Sequence, residues 1–176
     1  MVYVLIGNEC TGKTTIFEKL KRERALHPET SFIKESYTED SRTKTFRARY
    51  FQSLINEGNP VIYDRATVID ELVYAPALDG KQSLFEGPFT SLLSRVGNGC
   101  IFIYLEADLN VLATRLDVRG DQWVAEDNLA AIQESYDRVL SALPLNVVRI
   151  DATASADEVY KKVLEVITNG ESNAHR

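Results

Sequence analysis

An α/β domain built on a five-stranded parallel sheet, with helices on both faces, is the fold class this sequence predicts. Three observations carry the prediction. Five short apolar runs alternate with longer helical patterns. The first run feeds a glycine-bounded loop that opens directly into a helix, a junction typical of sheets whose ligands gather at strand ends. The chain has 176 residues, enough for one substantial core.

Each element has its own signal. Val2–Ile6 is apolar without alternation and reads as a buried strand. Thr14–Arg24 follows as a helix with Ile16, Phe17 and Leu20 on one apolar face. Ser31–Lys34 is the second strand and Thr43–Glu57 the second helix. Gly58-Asn59-Pro60 stops that helix and returns the chain to the third strand, Pro60–Tyr63. Short helices are predicted over Val68–Tyr74 and Phe89–Val96, and Gly97-Asn98-Gly99 marks the return into the fourth strand, Cys100–Leu105. Asp108 suits the N-cap of Leu109–Leu116, and Ser155 that of Ala156–Thr168. Between those helices, Asp127–Leu143 is helical and Asn146–Ile150 is the last strand. Residues 1–168 are expected to form one domain, with a short lid at about 117–126. The polar tail, 169–176, is expected to be disordered.

Composition narrows the class. Apolar residues make up 44% of the chain, with nine glycines and five prolines, as in a globular protein. No apolar run approaches the ~18 residues that span a membrane. No basic leader precedes Val2, so a cytoplasmic protein is expected. Cys10 and Cys100 are too few for a disulfide framework, and the two cysteines and two histidines lack ligand-like spacing. The net charge of −6 argues against an extended duplex-DNA surface, and is compatible with a small anion in a local cationic pocket.

The chemistry starts in the first loop. Gly7-Asn8-Glu9-Cys10-Thr11-Gly12-Lys13-Thr14 matches the phosphate-binding pattern G-x-x-x-x-G-K-[ST]. Gly7 and Gly12 allow a sharp turn and close approach of backbone to phosphate. The loop N–H groups and the helix N-terminus form an anion cradle. Lys13 adds a cation and the Thr14 hydroxyl is the expected inner ligand of Mg²⁺.

The residues after each later strand complete a candidate site. Asp64 and Arg65 follow the third strand; Asp64 is placed to hold the metal shell or take a proton, and Arg65 to grip phosphate. Arg115 ends a helix and Arg119 opens a loop, where a closing arginine stabilises charge and excludes water. Arg42, Lys44, Arg47 and Arg49 form a basic helix segment interleaved with Phe46, Tyr50 and Phe51, which reads either as a base-and-phosphate face or as core stripe with a solvated side. Glu35 is a candidate sugar ligand or base, and Tyr74 a candidate wall of the acceptor pocket. Trp123 reads as packing the closing segment, and His27 and His175 as surface residues.

On these residues the chain resembles the thymidylate kinase and deoxynucleoside kinase group of P-loop kinases, from Met1 to about Thr168. The likeness rests on the loop through Thr15, on Asp64-Arg65, on Arg115-x-x-x-Arg119-Gly120, and on Ile150-Asp151-Ala152. It implies a three-layer P-loop kinase fold and an ATP donor with Mg²⁺. It places ATP on Gly7 to Thr15 with Asp151 and Ala152, and the metal on Thr14 and Asp64. Catalysis would fall to Lys13, Asp64, Arg65, Arg115 and Arg119. The acceptor would meet Glu9, Glu35, Phe46, Arg47, Arg49, Tyr50, Arg65 and Tyr74.

Two branches of the group compete. Thymidylate kinases carry an acid in the loop, as Glu9 is here, and a helix tyrosine after the lid that Tyr136 resembles. Lys34-Glu35-Ser36 is similar to their Arg-Glu-Pro. Deoxynucleoside kinases share Gly7-Asn8 and a segment similar to Asp64-Arg65-Ala66 through Val73-Tyr74-Ala75, with Glu35 matching their base. They usually have arginine where Glu71 stands, and a lid richer in arginine. Glu9 and the compact length favour a deoxynucleoside monophosphate acceptor, dTMP or a related pyrimidine. The alternative is a nucleoside 5′-hydroxyl. A kinase acting on DNA and an ATP-binding module without transfer are the remaining readings, and a homodimer is compatible with the helices.

Overall fold

A computed structural model describes residues 1–23, 26, 28–80, 83–96, 99–120 and 127–174. The expected residues Trp123, His27 and His175, and the lid segment 121–126, lie outside them. Five parallel strands form one sheet in the order β2-β3-β1-β4-β5, where β1 is Val2–Gly7, β2 Ser31–Lys34, β3 Val61–Asp64, β4 Cys100–Glu106 and β5 Val147–Asp151. The register pairs Val2 with Val61 on one side and with Cys100 on the other. β1, β3 and β4 are buried almost throughout, which explains why their sequences run apolar instead of alternating.

The helices divide into two groups around this sheet. α1 (Lys13–Glu23) packs with α7 (Ala156–Ala174). The other group centres on α3 (Thr67–Asp79), which packs on α2 (Ser41–Glu57), α4 (Glu86–Leu93) and α6 (Asp127–Ala142), with α5 (Leu109–Arg119) against α6. The expected α/β class and five-stranded parallel sheet are therefore the observed ones. Aromatic rings contribute to the core: Tyr3, Tyr63, Tyr74, Tyr104, Tyr136, Phe17, Phe51 and Phe102 are all fully buried.

Several boundaries differ from the sequence reading, each for a local reason. α2 begins at Ser41 because the Asp40 carboxylate accepts from the Thr43 amide at 2.7 Å and caps the helix earlier than expected. β3 is shifted by one residue, since Pro60 has no N–H for the ladder and contributes only its carbonyl, to Ser31. Asp64 is thereby the last residue of the strand. α3 runs past Tyr74 and through Pro76 to end at Gly80, in the left-handed region at φ 61°. α5 continues to Arg119, so that this arginine stands on a helix and not in the expected loop; Gly120, at φ 66°, stops the helix one residue later. The expected disordered tail is helical as far as Ala174. There the Tyr3 hydroxyl donates to the Ile167 carbonyl at 2.9 Å, and Gly170 leaves the space that this ring needs. Both proposed caps hold: Asp108 accepts from the Asn110 amide, and Ser155 and Glu158 bond reciprocally as a capping box.

Candidate active site

The strand order puts β1 at the centre, with β3 and β4 beside it. The loop after β1 and the ends of β2, β3 and β5 therefore open on one edge of the sheet. Gly7 sits at φ 144°, and a Cβ there would collide with the Leu105 carbonyl of β4, so only glycine lets the loop leave this close to the neighbouring strand. Cys10, at φ 59°, is in the left-handed region without being glycine. Lys13 folds back across the loop and donates to the carbonyls of Gly7 at 2.8 Å and Asn8 at 2.6 Å. Asn8 ties the loop to α6 by donating to the Leu129 carbonyl, and its Oδ1 accepts from the Glu9 amide. Asn8 is thus a brace for the loop and lines none of the three cavities described below.

Thr14 and Asp64 meet as the sequence suggested: the Thr14 hydroxyl donates to Asp64 Oδ2 at 2.6 Å. Asp64 is fully buried, and its Oδ1 has no hydrogen-bond partner among the described residues. Leaving a carboxylate oxygen without a partner is costly. A hydroxyl beside a carboxylate oxygen that lacks a partner among the described residues, at the end of the loop after β1, fits the oxygen-rich requirements of Mg²⁺. Among the described residues no group of three His, Cys, Asp or Glu forms a metal cage, so such an ion would share its shell with phosphate oxygens.

The most charged part of the site is a buried cluster around Glu9. Arg65, at φ 69°, points its guanidinium back to Glu9 at 2.5 Å and to the Tyr74 hydroxyl at 2.9 Å. Tyr74 in turn donates to Glu9 at 2.8 Å. Asp70 lies 3.7 Å from Arg65, and Arg119 lies 3.8 Å from the second Glu9 oxygen. A long side chain in a left-handed backbone is strained, and its persistence shows that the surrounding contacts fix it there. Burial alone would raise the Glu9 carboxyl, but the charges of Lys13 and Arg65, with hydrogen bonds from Arg65 and Tyr74, hold it down at about 2. Burial also lowers the Lys13 ammonium to about 8, helped by Arg65 and opposed by Glu9, Asp70 and Asp64. Burial pushes Asp70 up to about 6 against the pull of Arg65 and Lys13.

Three cavities lie along this edge of the sheet. One, of about 270 Å³, lies between the loop and the start of α7 and is lined by Cys10, Thr11, Gly12, Thr15, Ala152 and Val159 among others. A second, of about 220 Å³, covers Lys13 and Thr14 and is bounded by Glu9, Arg65, Arg115 and Arg119. The third, of about 480 Å³, extends over the ends of β2 and β3 and is walled by Lys34, Glu35, Tyr37, Arg65, Arg119 and Glu9. The second and third share Glu9, Arg65 and Arg119.

Other expected residues take different places. Arg115 donates to the carbonyls of Ala152 at 2.9 Å, and of Cys10 and Thr153 at 3.4 Å, clamping the loop to the end of β5. Asp151 is exposed and accepts from the amide and hydroxyl of Thr153, while Ala152 is the member of that pair lining a cavity. Phe46 and Tyr50 stack on each other, exposed on α2, with Arg49 exposed beside them; none lines one of the three cavities described above. The i, i+4 spacing correctly predicted their adjacency, but it left open which face of α2 was inward. Arg47 turns inward and donates to Ser36 and Thr67. Lys44, read from sequence only as part of a basic segment, and Glu71, read only as a departure from the usual arginine, are buried beside the site and pair at 2.6 Å, with the Lys44 ammonium against the Tyr37 and Phe85 rings. Tyr136 is buried between Tyr74 and Tyr104, its hydroxyl 3.5 Å from Asp70.

No family model matches the chain. The SPbeta prophage-derived uncharacterized protein YorR of Bacillus subtilis (strain 168) is 29% identical over 165 residues, which cover 93% of this chain and 97% of that protein. The crystal structure of YorR from Bacillus subtilis, in complex with phosphorylated GDP, superposes with a TM-score of 0.76 at 28% identity, covering 100% of this chain and 99% of that one. A probable thymidylate kinase of Halorubrum lacusprofundi is 36% identical over 66 residues, which are 38% of this chain and 33% of that protein. Deoxyadenosine kinase from M. mycoides, solved with the products dCMP and a flexible dCDP, gives a TM-score of 0.64 at 14% identity, over 96% of this chain and 100% of that one. At that identity the likeness concerns the fold. The chain thus resembles the P-loop nucleoside and nucleotide kinase group, with its kinase-like α/β fold.

Proposed function

We propose that this protein transfers a phosphoryl group from ATP to a deoxynucleoside monophosphate, dTMP or a related pyrimidine nucleotide. The observation that carries the reading is the meeting of two cavities at Arg65 and Arg119. The loop cavity takes the donor's phosphates over Lys13 and Thr14. The larger cavity takes the acceptor. Two guanidiniums between them stand where both phosphates must come together, and a guanidinium fork suits phosphate oxygens. Lys34 adds a third cation on the acceptor side. Mg²⁺, bound by Thr14 and Asp64, would neutralise charge on the donor phosphates. Glu9, already held by Arg65 and Tyr74, offers its carboxylate to a sugar hydroxyl. The pyrimidine assignment rests on the likeness of this Glu-bearing loop to thymidylate kinases.

A phosphate acceptor is already ionised at neutral pH, so the transfer needs positioning and charge stabilisation more than a base. A nucleoside acceptor is the second reading, and the carboxylate of Glu35 on the acceptor wall is the observation that favours it. One experiment separates them: ATP-dependent phosphorylation of all nucleosides and nucleoside monophosphates, side by side, with Arg65→Ala and Glu35→Gln. The monophosphate reading expects turnover of a monophosphate and its loss in Arg65→Ala. Turnover of nucleosides only, abolished by Glu35→Gln and retained by Arg65→Ala, refutes it.

A further inference from the structure

The N-terminus of α3 lacks a cap of its own. Ala66, at the cap position, has no side-chain oxygen to offer. The missing acceptor comes from the residue that follows β2: Glu35 Oε2 accepts from the Thr67 amide at 2.7 Å and from the Thr67 hydroxyl at 2.6 Å. Arg47 then donates to Thr67 Oγ1 at 3.2 Å and to the Ser36 carbonyl at 2.6 Å, locking the hydroxyl from behind and the β2 end beside it. One carboxylate oxygen is therefore fixed by two donors. The other, Oε1, makes no hydrogen bond among the described residues, and Glu35 lines the 480 Å³ cavity.

We infer that Thr67, braced by Arg47, is a positioning residue that fixes Glu35 so that Oε1 accepts a hydrogen bond from an O–H or N–H group of the acceptor nucleotide. This deepens the proposed function, on which its substrate class rests. The arrangement has three parts that a simple helix cap does not require. A carboxylate capping a helix from a distant part of the chain satisfies one amide; here the hydroxyl of the same residue doubles the contact on the same oxygen. A guanidinium is spent on orienting that hydroxyl. The second oxygen is not engaged among the described residues, and Glu35 lines the cavity where the acceptor is placed. It follows that Arg47 frames the pocket instead of gripping phosphate, the role its basic neighbourhood suggested.

The test uses the full chain with Thr67→Val, Thr67→Ser and Glu35→Gln, and the Thr67→Val/Glu35→Gln double variant. Thr67→Val keeps the shape and the backbone amide but deletes the hydroxyl bond. Acceptor affinity is read by calorimetry with a panel of deoxynucleoside monophosphates, and acceptor KM, ATP KM and kcat by steady-state assay. The expected result is acceptor binding weakened about tenfold in Thr67→Val, in line with one lost hydrogen bond to a charged group. Thr67→Ser restores it, ATP KM stays unchanged, and the double variant is no worse than Glu35→Gln alone, because both act through one carboxylate. Unchanged acceptor affinity in Thr67→Val overturns the inference, as do equal losses in Thr67→Val and Thr67→Ser, or additive losses in the double variant. Acceptor binding that follows this pattern without any phosphoryl transfer refutes the proposed function and leaves the positioning role standing. Transfer with an unaffected Thr67→Val does the reverse, and a wild-type protein that binds none of the panel overturns both.

Discussion

Replacing Glu9 with Gln takes one negative charge out of a buried cluster while preserving the side chain's shape, so its effect on stability can be worked from the geometry. The Glu9 carboxyl is held at about 2 against an ordinary value of 4.5, because Lys13 and Arg65 outweigh the cost of its burial. At about 1.36 kcal/mol per pKa unit, that preference for the ionised form is worth about 3 kcal/mol. The carboxyl is depressed in the folded state, so the stabilisation is fully present above the unfolded value. It is lost as the pH falls from 4.5 through about 2. Glu9→Gln is therefore expected to lose about 3 kcal/mol at about pH 7 and only about 1.4 kcal/mol at about pH 3. Urea unfolding of the two proteins across that range measures it. The stability gap must close as the pH drops. A gap that stays constant from about pH 7 to about pH 3 would refute the reasoning, since a packing loss does not titrate. A further sign is available: Glu9 is one of the groups that keep the Lys13 ammonium charged, so its removal must lower Lys13 further.

Further predictions follow from the same cluster and loop. The Lys13 ammonium, lowered to about 8 by burial, must be protonated to meet a triphosphate; ATP affinity measured by calorimetry should fall about tenfold per pH unit above about 8, with proton uptake on binding. Lys13→Ala should reduce turnover by orders of magnitude, as it removes a cation from the transferring phosphate. Gly7→Ala places a Cβ on the Leu105 carbonyl at a φ of 144°, so it should abolish ATP binding and lower stability by about 2 kcal/mol or more, measured by titration and urea unfolding. Asp64→Asn keeps the contact with Thr14 possible but removes the charge; the Mg²⁺ concentration needed for half-maximal activity should rise at least tenfold, and ATP binding without metal should change little.

The parts of this molecule that were legible in its sequence are those set by local pattern. Apolar runs without alternation predicted β1, β3 and β4, because these strands are buried on both faces. The loop from Gly7 to Thr14 was legible because its spacing is itself the geometry. The Thr14–Asp64 pair was reachable through fold logic, since both residues lie at one edge of a parallel sheet. Contacts made between elements were not legible residue by residue. Nothing in the Arg42–Arg49 segment says which cations turn inward, and the helical period alone allows several faces. The structure separates them: Lys44 is buried on Glu71, Arg47 braces Thr67, and Arg49 is exposed beside the Phe46–Tyr50 stack.

Glu9 shows how far a single residue can be read by chemistry before its partners are known. On the proposed function, an anion inside a loop that would bind anions is at odds with the loop's purpose, and that reading points from it to a second substrate. The structure supplies the local half of the explanation. Glu9 pairs with Arg65, whose backbone is left-handed, and lies 3.8 Å from Arg119, so both guanidiniums are gathered at the boundary of the two cavities. Two unpaired cations gathered there would repel each other and the Lys13 ammonium. A carboxylate among them lowers that cost, and on the proposed function a phosphate oxygen would take over part of that role. Arg119 lies at the longer distance from Glu9, on the last turn of α5. Arg65, held also by Tyr74 and Asp70, keeps its place.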